Sequence, residues 1–214
     1  MLKRLLQLSD TFMPLLALLA YAPVIKKIRG SLLIIPLYLF VTFSIMFLSN
    51  YLADRNINNS YLYHAYSLIE LAFFSAFIRK LTNDTNLVIK LMLPVYTVFW
   101  LINLLFFEHY LQYNSNSSGV AYVLLIVYAL YFFLFLSRSD EILTFQRSPS
   151  FWIVSGFLFY AVMNVLITTI YKYTIIMSPE DKILVFNFSY VSNIIKFILI
   201  TIGVLWYRQK YRSG

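Results

Sequence analysis

Residues 189–208, SYVSNIIKFILITIGVLWYR, decide the fold class of this chain. The stretch is apolar over the length that an α-helix needs to cross the roughly 30 Å hydrocarbon core of a bilayer. It closes on Trp206, Tyr207 and Arg208, which are typical of the boundary between lipid and water. Lys196 lies inside the apolar run, where a charged side chain is costly unless it has a partner. The stretch therefore predicts a membrane-spanning helix with an inward-facing lysine.

The composition extends this interpretation to the whole chain. Of the 214 residues, 61% are hydrophobic and 12% are charged, whereas soluble domains are about half apolar and about one quarter charged. The net charge of +8 comes from short basic clusters beside the apolar runs, which favours anionic lipid headgroups rather than nucleic acid as the partner. The chain has no cysteine, which excludes disulfides and a cysteine nucleophile.

Seven apolar segments predict an all-α bundle of seven transmembrane helices that forms a single domain over residues 1–214. The first segment has an alternative interpretation as a secretory signal peptide, because a basic start and a short apolar region precede Ala20-Tyr21-Ala22. Pro23 directly after that motif disfavours cleavage. The predicted spans are 8–25, 31–52, 60–79, 87–107, 119–137, 150–173 and 183–207.

The basic residues of the loops predict an outside N-terminus and a cytoplasmic C-terminus, because cytoplasmic loops carry an excess of Lys and Arg. An abundance of Asn, Ile, Lys, Phe and Tyr hints at a bacterial source, so we expect the bacterial inner membrane. In this orientation the outer side holds Lys3, Arg4, Arg55, Lys172 and Lys182. The inner side holds Lys26, Lys27, Arg29, Arg79, Lys80, Lys90, Arg138, Arg147, Arg208, Lys210 and Arg212.

Glu70 and Lys196 are the ionisable residues that fall near the middle of predicted spans. At about 1.5 Å per residue, Glu70 lies about 15 Å from the outer end of the third helix and Lys196 about 20 Å from that of the seventh. The two helices run in the same direction, so an ion pair between these side chains is sterically reasonable. Such a pair is weak evidence for stability, and it serves either a functional site or the fixing of helix register.

Polar residues at helical spacing extend the candidate network. Ser192, Asn193 and Lys196 share a face of the seventh helix with Ser189, and Gly203 continues it. The alternative is that these side chains only join helices by hydrogen bonds of about 0.6 kcal/mol each. The predicted buried polar or ligand-binding set comprises Glu70, Lys196, Asn193, Ser192, Tyr66, Tyr160, Asn164, Asn103 and Trp100. His64, near the outer end of the third helix, is either a snorkelling or hydrogen-bonded side chain or a pH-responsive one.

Four functional classes fit this pattern. A lysine in the seventh helix and a carboxylate in the third suggest retinal on Lys196, although Ser192 stands where microbial rhodopsins have Asp. A lipid enzyme would use His64, Glu70 or Glu108, but the metalloprotease and serine-hydrolase motifs are missing and we expect no metal site. A proton-coupled transporter would use Glu70. A receptor-like module would bind a small or lipidic ligand at the polar midplane and act through a signalling partner.

The segments LYHAYSLIELAFF (62–74) and FWIVSGFLFY (151–160) carry a family resemblance. These two segments, together with Asn193 to Ile195, resemble the corresponding segments of small multi-helix membrane proteins that are widespread in Bacteroidetes. Related bundles precede histidine kinase modules, so the resemblance implies a sensory role. We therefore predict a sensory membrane module rather than an enzyme. The matching positions are His64, Tyr66, Leu68, Ile69, Glu70, Phe151, Trp152, Gly156 and Tyr160.

Overall fold

A computed structural model describes residues 2–83, 86–138, 140–171 and 177–210 of the chain. Within them every regular element is helical, as the apolar segments predict. The seven α-helices are α1 (Leu2–Tyr21), α2 (Ile34–Asp54), α3 (Ser60–Thr82), α4 (Leu87–Phe106), α5 (Ser115–Ser137), α6 (Pro149–Tyr171) and α7 (Pro179–Lys210). Short 3-10 helices precede α2 (Gly30–Leu33) and α6 (Asp140–Arg147).

Six of the seven helices, α2 to α7, are long and apolar enough to cross a membrane. The chain is therefore compatible with an integral membrane protein. In α1 the apolar stretch is shorter and covers Leu8–Tyr21, so the count of seven spans stays a prediction.

The helix ends differ from the predicted spans in several places. The first helix covers Leu2–Tyr21 rather than 8–25, since the residue before Pro23 is disfavoured in α-helical geometry. The last helix, Pro179–Lys210, is longer than the predicted 183–207 at both ends. Residues 172–173 of the sixth predicted span, with Lys172, lie outside the described residues, as does Arg212.

Six of the α-helices pack in a closed ring, and α4 lies outside it. The ring runs from α1 to α2, α3, α5, α6 and α7, and α7 packs back against α1. Helix α4 packs against α3 and α5 from the outside. Aromatic side chains fill the centre of the helix ring. Between side-chain centroids, Phe157 of α6 lies 4.4 Å from Phe74 of α3 and 5.2 Å from Tyr38 of α2.

Local sequence explains several helix ends. Asn83 ends α3 in the left-handed region at φ 48°, and Asn86 caps α4 by accepting a 2.9 Å hydrogen bond from the backbone N–H of Val88. Pro36 lies in the first turn of α2, where its missing N–H costs no intrahelical bond. These signals explain where α3 ends and where α2 and α4 begin.

Close packing of α6 on α7 depends on Gly156. A Cβ at this position would lie 2.9 Å from the carbonyl oxygen of Lys196 and 3.2 Å from Cβ of Leu199. Such distances are too short for a side chain, so glycine allows the two backbones to approach. The approach occurs at Lys196 itself and sets that residue's position in the ring.

Candidate functional site

Lys196 and Glu70 form an ion pair in the interior of the ring. The Nζ atom of Lys196 lies 2.8 Å from Oε1 of Glu70, and the two side chains are 0% and 2% exposed. Glu70 is ten residues into α3, which places it about 15 Å along that helix. The structure thus contains the ion pair that the two helical positions make sterically reasonable, and both side chains are closed off from the surface.

Two tyrosine hydroxyls also donate hydrogen bonds to Glu70. Tyr38 on α2 donates to Oε1 of Glu70 at 2.8 Å, and Tyr66, one turn earlier on α3, donates to the same oxygen at 2.9 Å. The hydroxyl of Tyr38 also accepts a 3.0 Å hydrogen bond from Nζ of Lys196. Tyr38 therefore bridges both charges and attaches α2 to the pair. We call Glu70, Lys196, Tyr38, Tyr66 and Tyr160 the charged centre.

Aromatic rings surround the lysine head group. Its Nζ lies 3.6 Å from the ring centroid of Tyr160 on α6 and 4.8 Å from that of Phe197, distances at which a cation is attracted to the ring face. The hydroxyl of Tyr160 is 3.2 Å from that of Tyr122 on α5. Four helices (α2, α3, α6 and α7) thus contribute directly to the charged centre, and α5 supports it.

The surroundings of Nζ bear on the retinal alternative. Tyr38, Phe157, Tyr160 and Phe197 all present rings within 5.7 Å of Nζ. A polyene attached to Lys196 would have to displace these rings and the hydrogen bond to Tyr38. In this conformation the residues present do not fit a retinal Schiff base.

The predicted polar residues of α6 and α7 form a second, neighbouring network. Asn164 donates to Oγ of Ser192 at 2.9 Å and accepts from Oγ of Ser189 at 2.8 Å. Asn193, on the same face of α7 as Lys196, donates to a carboxylate oxygen of Asp10 on α1. These contacts join α1, α6 and α7 beside the charged centre, and they hold a second carboxylate, that of Asp10, on a residue of α7 that lies one turn from Lys196.

Asn103 and Trp100 lie away from the charged centre, on α4. Trp100 donates through Nε1 to the backbone carbonyl of His64 at 2.8 Å. Asn103 donates at 2.8 Å to Oε2 of Glu108 and at 2.8 Å to Oγ of Ser117. Both side chains therefore join α4 to its neighbours, in the manner of the interhelical hydrogen bonds that the sequence leaves open as an alternative.

Glu108 organises the loop between α4 and α5. Its Oε1 accepts from Oγ of Ser115 at 2.6 Å and from the backbone N–H of Asn116 at 2.8 Å, at the start of α5. Burial alone would raise the pKa of Glu108, but the hydrogen bonds from Ser115, Asn103 and the backbone outweigh it and lower the pKa from its ordinary value of 4.5. A carboxylate at a helix N-terminus is also favoured by the helix dipole.

His64 is buried and hydrogen-bonded rather than snorkelling, at 2% exposure. Its Nε2 lies 3.1 Å from the backbone carbonyl of Gln112, so this nitrogen carries the proton and donates. Its Nδ1 is buried without a hydrogen-bond partner. The histidine therefore holds the α4–α5 loop against the N-terminal end of α3, and its pH-responsive role stays a prediction.

The sequence interpretation missed Tyr38 and Tyr122. Tyr38 has a usable signal, since it shares one face of α2 with Thr42 and Ser49, and all three are buried. Tyr122 has no such signal, because tyrosine is abundant in this chain and a lone tyrosine also suits the membrane interface.

Within the described residues no group of three or more His, Asp or Glu side chains is arranged to hold a metal ion. Comparisons of the chain with protein-family models, with curated proteins and with solved structures find no match. The likeness to Bacteroidetes membrane proteins therefore remains an expectation from the short segments around Glu70 and Gly156.

Proposed function

We propose that this membrane protein is a receptor-like sensory module in which the charged centre is the switch. The observation that carries the proposal is the Glu70–Lys196 pair, sealed in the ring and shared by α3 and α7. A small or lipidic ligand changes the pairing, and a partner protein reads the change at the basic, cytoplasmic side. The proposed location is the bacterial inner membrane.

The energetics of buried charges support a switch. Removing two charges from water costs several kcal/mol each, and a well-packed apolar pair is often as stable or more stable. A bundle of this size gains little from the pair as a source of stability. The proposed second arrangement pairs Lys196 with Asp10 on α1, the carboxylate that Asn193 binds three residues earlier on the same face of α7. A two-state element of this kind is what a ligand needs in order to shift a conformational equilibrium.

The chemistry of the charged centre limits the ligand. Only a group that prefers one state can shift the equilibrium, and here that group must compete for Nζ of Lys196 or for Oε1 of Glu70. A carboxylate does the first and an ammonium the second. Since both side chains are enclosed, binding requires the rings of Tyr160 and Tyr38 to move. The ligand class is therefore a charged amphiphile that enters from the bilayer.

Hydrogen exchange of the full-length protein in nanodiscs tests this proposal. The probes are laurate, dodecylammonium and uncharged dodecanol, each compared in the wild type and in Lys196→Met. We expect a charged probe, but not dodecanol, to change the exchange of α3 and α7 near residues 70 and 196, and Lys196→Met to abolish the response to laurate. Equal responses to all three probes, or a response to laurate that persists without Lys196, would contradict it.

A proton-coupled transporter is the second candidate, and the hydroxyl groups around Glu70 favour it. Tyr38 and Tyr66 both donate to the carboxylate, so proton exchange with Glu70 has defined partners. Proteoliposomes loaded with a pH-sensitive dye test this candidate. Substrate-dependent proton entry that is lost in Glu70→Gln would favour transport over sensing.

A further inference from the structure

An apolar groove lies on the outer surface of the bundle between the start of α2 and the second half of α3. It has a volume of about 340 Å³. Ala72 and Ala76, one turn apart on α3, leave the space, and Leu37 of α2 is exposed at its wall. The lining consists of Leu33, Ile34, Leu37, Ala72, Phe73 and Ala76. A groove with this lining fits a hydrocarbon chain.

Basic side chains stand at one end of the groove. Arg79 and Lys80 follow Ala76 by three and four residues, so they lie one turn further along the same face of α3. Arg29 directly precedes the 3-10 helix Gly30–Leu33, which packs against α3. The three side chains are exposed, and none forms an ion pair in the part of the chain that the structure describes. We call them the basic rim.

We propose that the groove and the basic rim form a binding site for one anionic phospholipid. One acyl chain lies along Ala72 and Ala76, and the phosphate lies on Arg79, Lys80 and Arg29. Basic pockets at the ends of membrane helices bind anionic headgroups in this way. A soluble anion would use only the rim and a neutral lipid only the groove, whereas an anionic phospholipid satisfies both.

The groove also touches the charged centre through one aromatic contact. Phe73 lines the groove and meets the ring of Tyr38 edge-on, at 5.9 Å between centroids. Tyr38 in turn bonds both Glu70 and Lys196. Lipid binding itself needs only the groove and the rim, so the site stands independently of the proposed sensory function.

Native mass spectrometry of the full-length protein tests the site. The detergent-solubilised protein is titrated with phosphatidylglycerol and with phosphatidylcholine of the same chains. We expect one phosphatidylglycerol to bind in preference to phosphatidylcholine. In Arg79→Ala/Lys80→Ala we expect its affinity to fall about tenfold or more, since each cation near a headgroup contributes about fivefold. The matched control Arg138→Ala/Arg147→Ala also removes two exposed positive charges, and we expect it to leave the affinity unchanged.

A groove-filling variant gives a second test that keeps every charge. Ala76→Trp should lower phosphatidylglycerol binding while the basic rim is intact, and its exposed position allows the fold to persist. Equal binding of the two lipids would overturn the proposal, and so would an equal loss in the control variant. Full competition by glycerol phosphate would also overturn it, because that result would indicate a soluble-anion site that does not use the groove.

Discussion

At the scale of single residues, Lys196 has the largest predicted effect on stability. Lys196→Met leaves the carboxylate of Glu70 buried with only two tyrosine hydroxyls as donors. Breaking a buried ion pair from one side costs about 3–5 kcal/mol. We therefore expect Lys196→Met to lower the free energy of unfolding by about that amount, measured by denaturant titration in mixed micelles.

The double variant Glu70→Gln/Lys196→Met is the matched control for this prediction. It removes both charges, so no unpaired ion remains, and we expect most of the lost stability to return. The coupling between the two sites should be about 2 kcal/mol or more, at the upper end of what contacting residues show. Additive single-residue costs would mean that the two side chains do not depend on each other, despite the 2.8 Å contact.

At the scale of helices, the contact of α6 with α7 depends on two glycines, Gly156 on α6 and Gly203 on α7. A Cβ on Gly156 would lie 2.9 Å from the carbonyl oxygen of Lys196, and one on Gly203 would lie 2.7 Å from that of Pro149. Since both neighbours are backbone atoms, the helices must separate. We expect Gly156→Ala and Gly203→Ala each to cost about 1–3 kcal/mol of unfolding free energy, as overpacking does.

Gly119→Ala on α5 provides the comparison for these two variants. Its added Cβ would meet Oγ1 of Thr168 at 3.5 Å, an ordinary contact. Alanine also favours the helical state by up to about 1 kcal/mol over glycine. We expect Gly119→Ala to be neutral or stabilising in the same unfolding measurement. A similar loss in all three variants would show that backbone approach is not what Gly156 and Gly203 provide.

The α4–α5 loop should lose protection in acid because of Glu108. Its pKa is lower in the folded protein than the ordinary 4.5, so its ionised form stabilises the fold above pH 4.5. That stabilisation disappears as the pH falls through the lower, folded value. Hydrogen exchange in residues 107–116, corrected for intrinsic rates, should be about tenfold faster in Glu108→Gln than in the wild type at pH 7.

The difference between Glu108→Gln and the wild type should shrink as the pH falls through the lowered pKa of Glu108 in the folded protein, where its carboxylate loses its charge. A difference whose size does not change with pH would assign the effect to side-chain shape rather than charge. No difference at pH 7 would mean that the four hydrogen-bond contacts to the carboxylate contribute nothing to the loop.

The sequence predicts where the helices lie along the chain far better than it predicts which side chains meet between helices. Length and apolarity identify α2 and α4 to α7, and even Glu70 does not prevent recognition of α3. Periodicity also places Lys196 and Asn193 on one face of α7. It does not show that Asn103 pairs with Glu108 in a loop, or that Tyr38 reaches both charges, because these contacts depend on how α2 and α4 rotate against α3. Single-helix patterns do not contain that rotation.

At the scale of the whole molecule, the closed ring explains why the charged centre is sealed. The ring closes where α7 packs against α1, the helix that carries Asp10. Any opening that admits a ligand to Lys196 must separate two adjacent helices of this ring. The hydrogen bond from Asn193 to Asp10 joins α1 and α7 at this closure, so an opening between these two helices would break it.

The orientation of the ring in the membrane is the last prediction, and the absence of cysteine makes it directly testable. Single cysteines replace exposed, uncharged residues, so the basic residues that determine orientation stay in place. Ile57 and Tyr110 lie in loops predicted to be outside, whereas Thr144 lies in a predicted cytoplasmic segment and Ile25 lies at the predicted cytoplasmic end of the first span. A membrane-impermeant maleimide should label Ile57→Cys and Tyr110→Cys in intact spheroplasts.

Ile25→Cys and Thr144→Cys should react with the same maleimide only after the membrane is permeabilised. The physical reason is the excess of Lys and Arg beside those two segments, which favours retention on the cytoplasmic side. The reverse labelling pattern would place the basic rim on the outer face and with it the proposed output surface. Labelling of Ile57→Cys and Ile25→Cys from the same side would contradict α2 as a membrane span, since the two positions flank that helix.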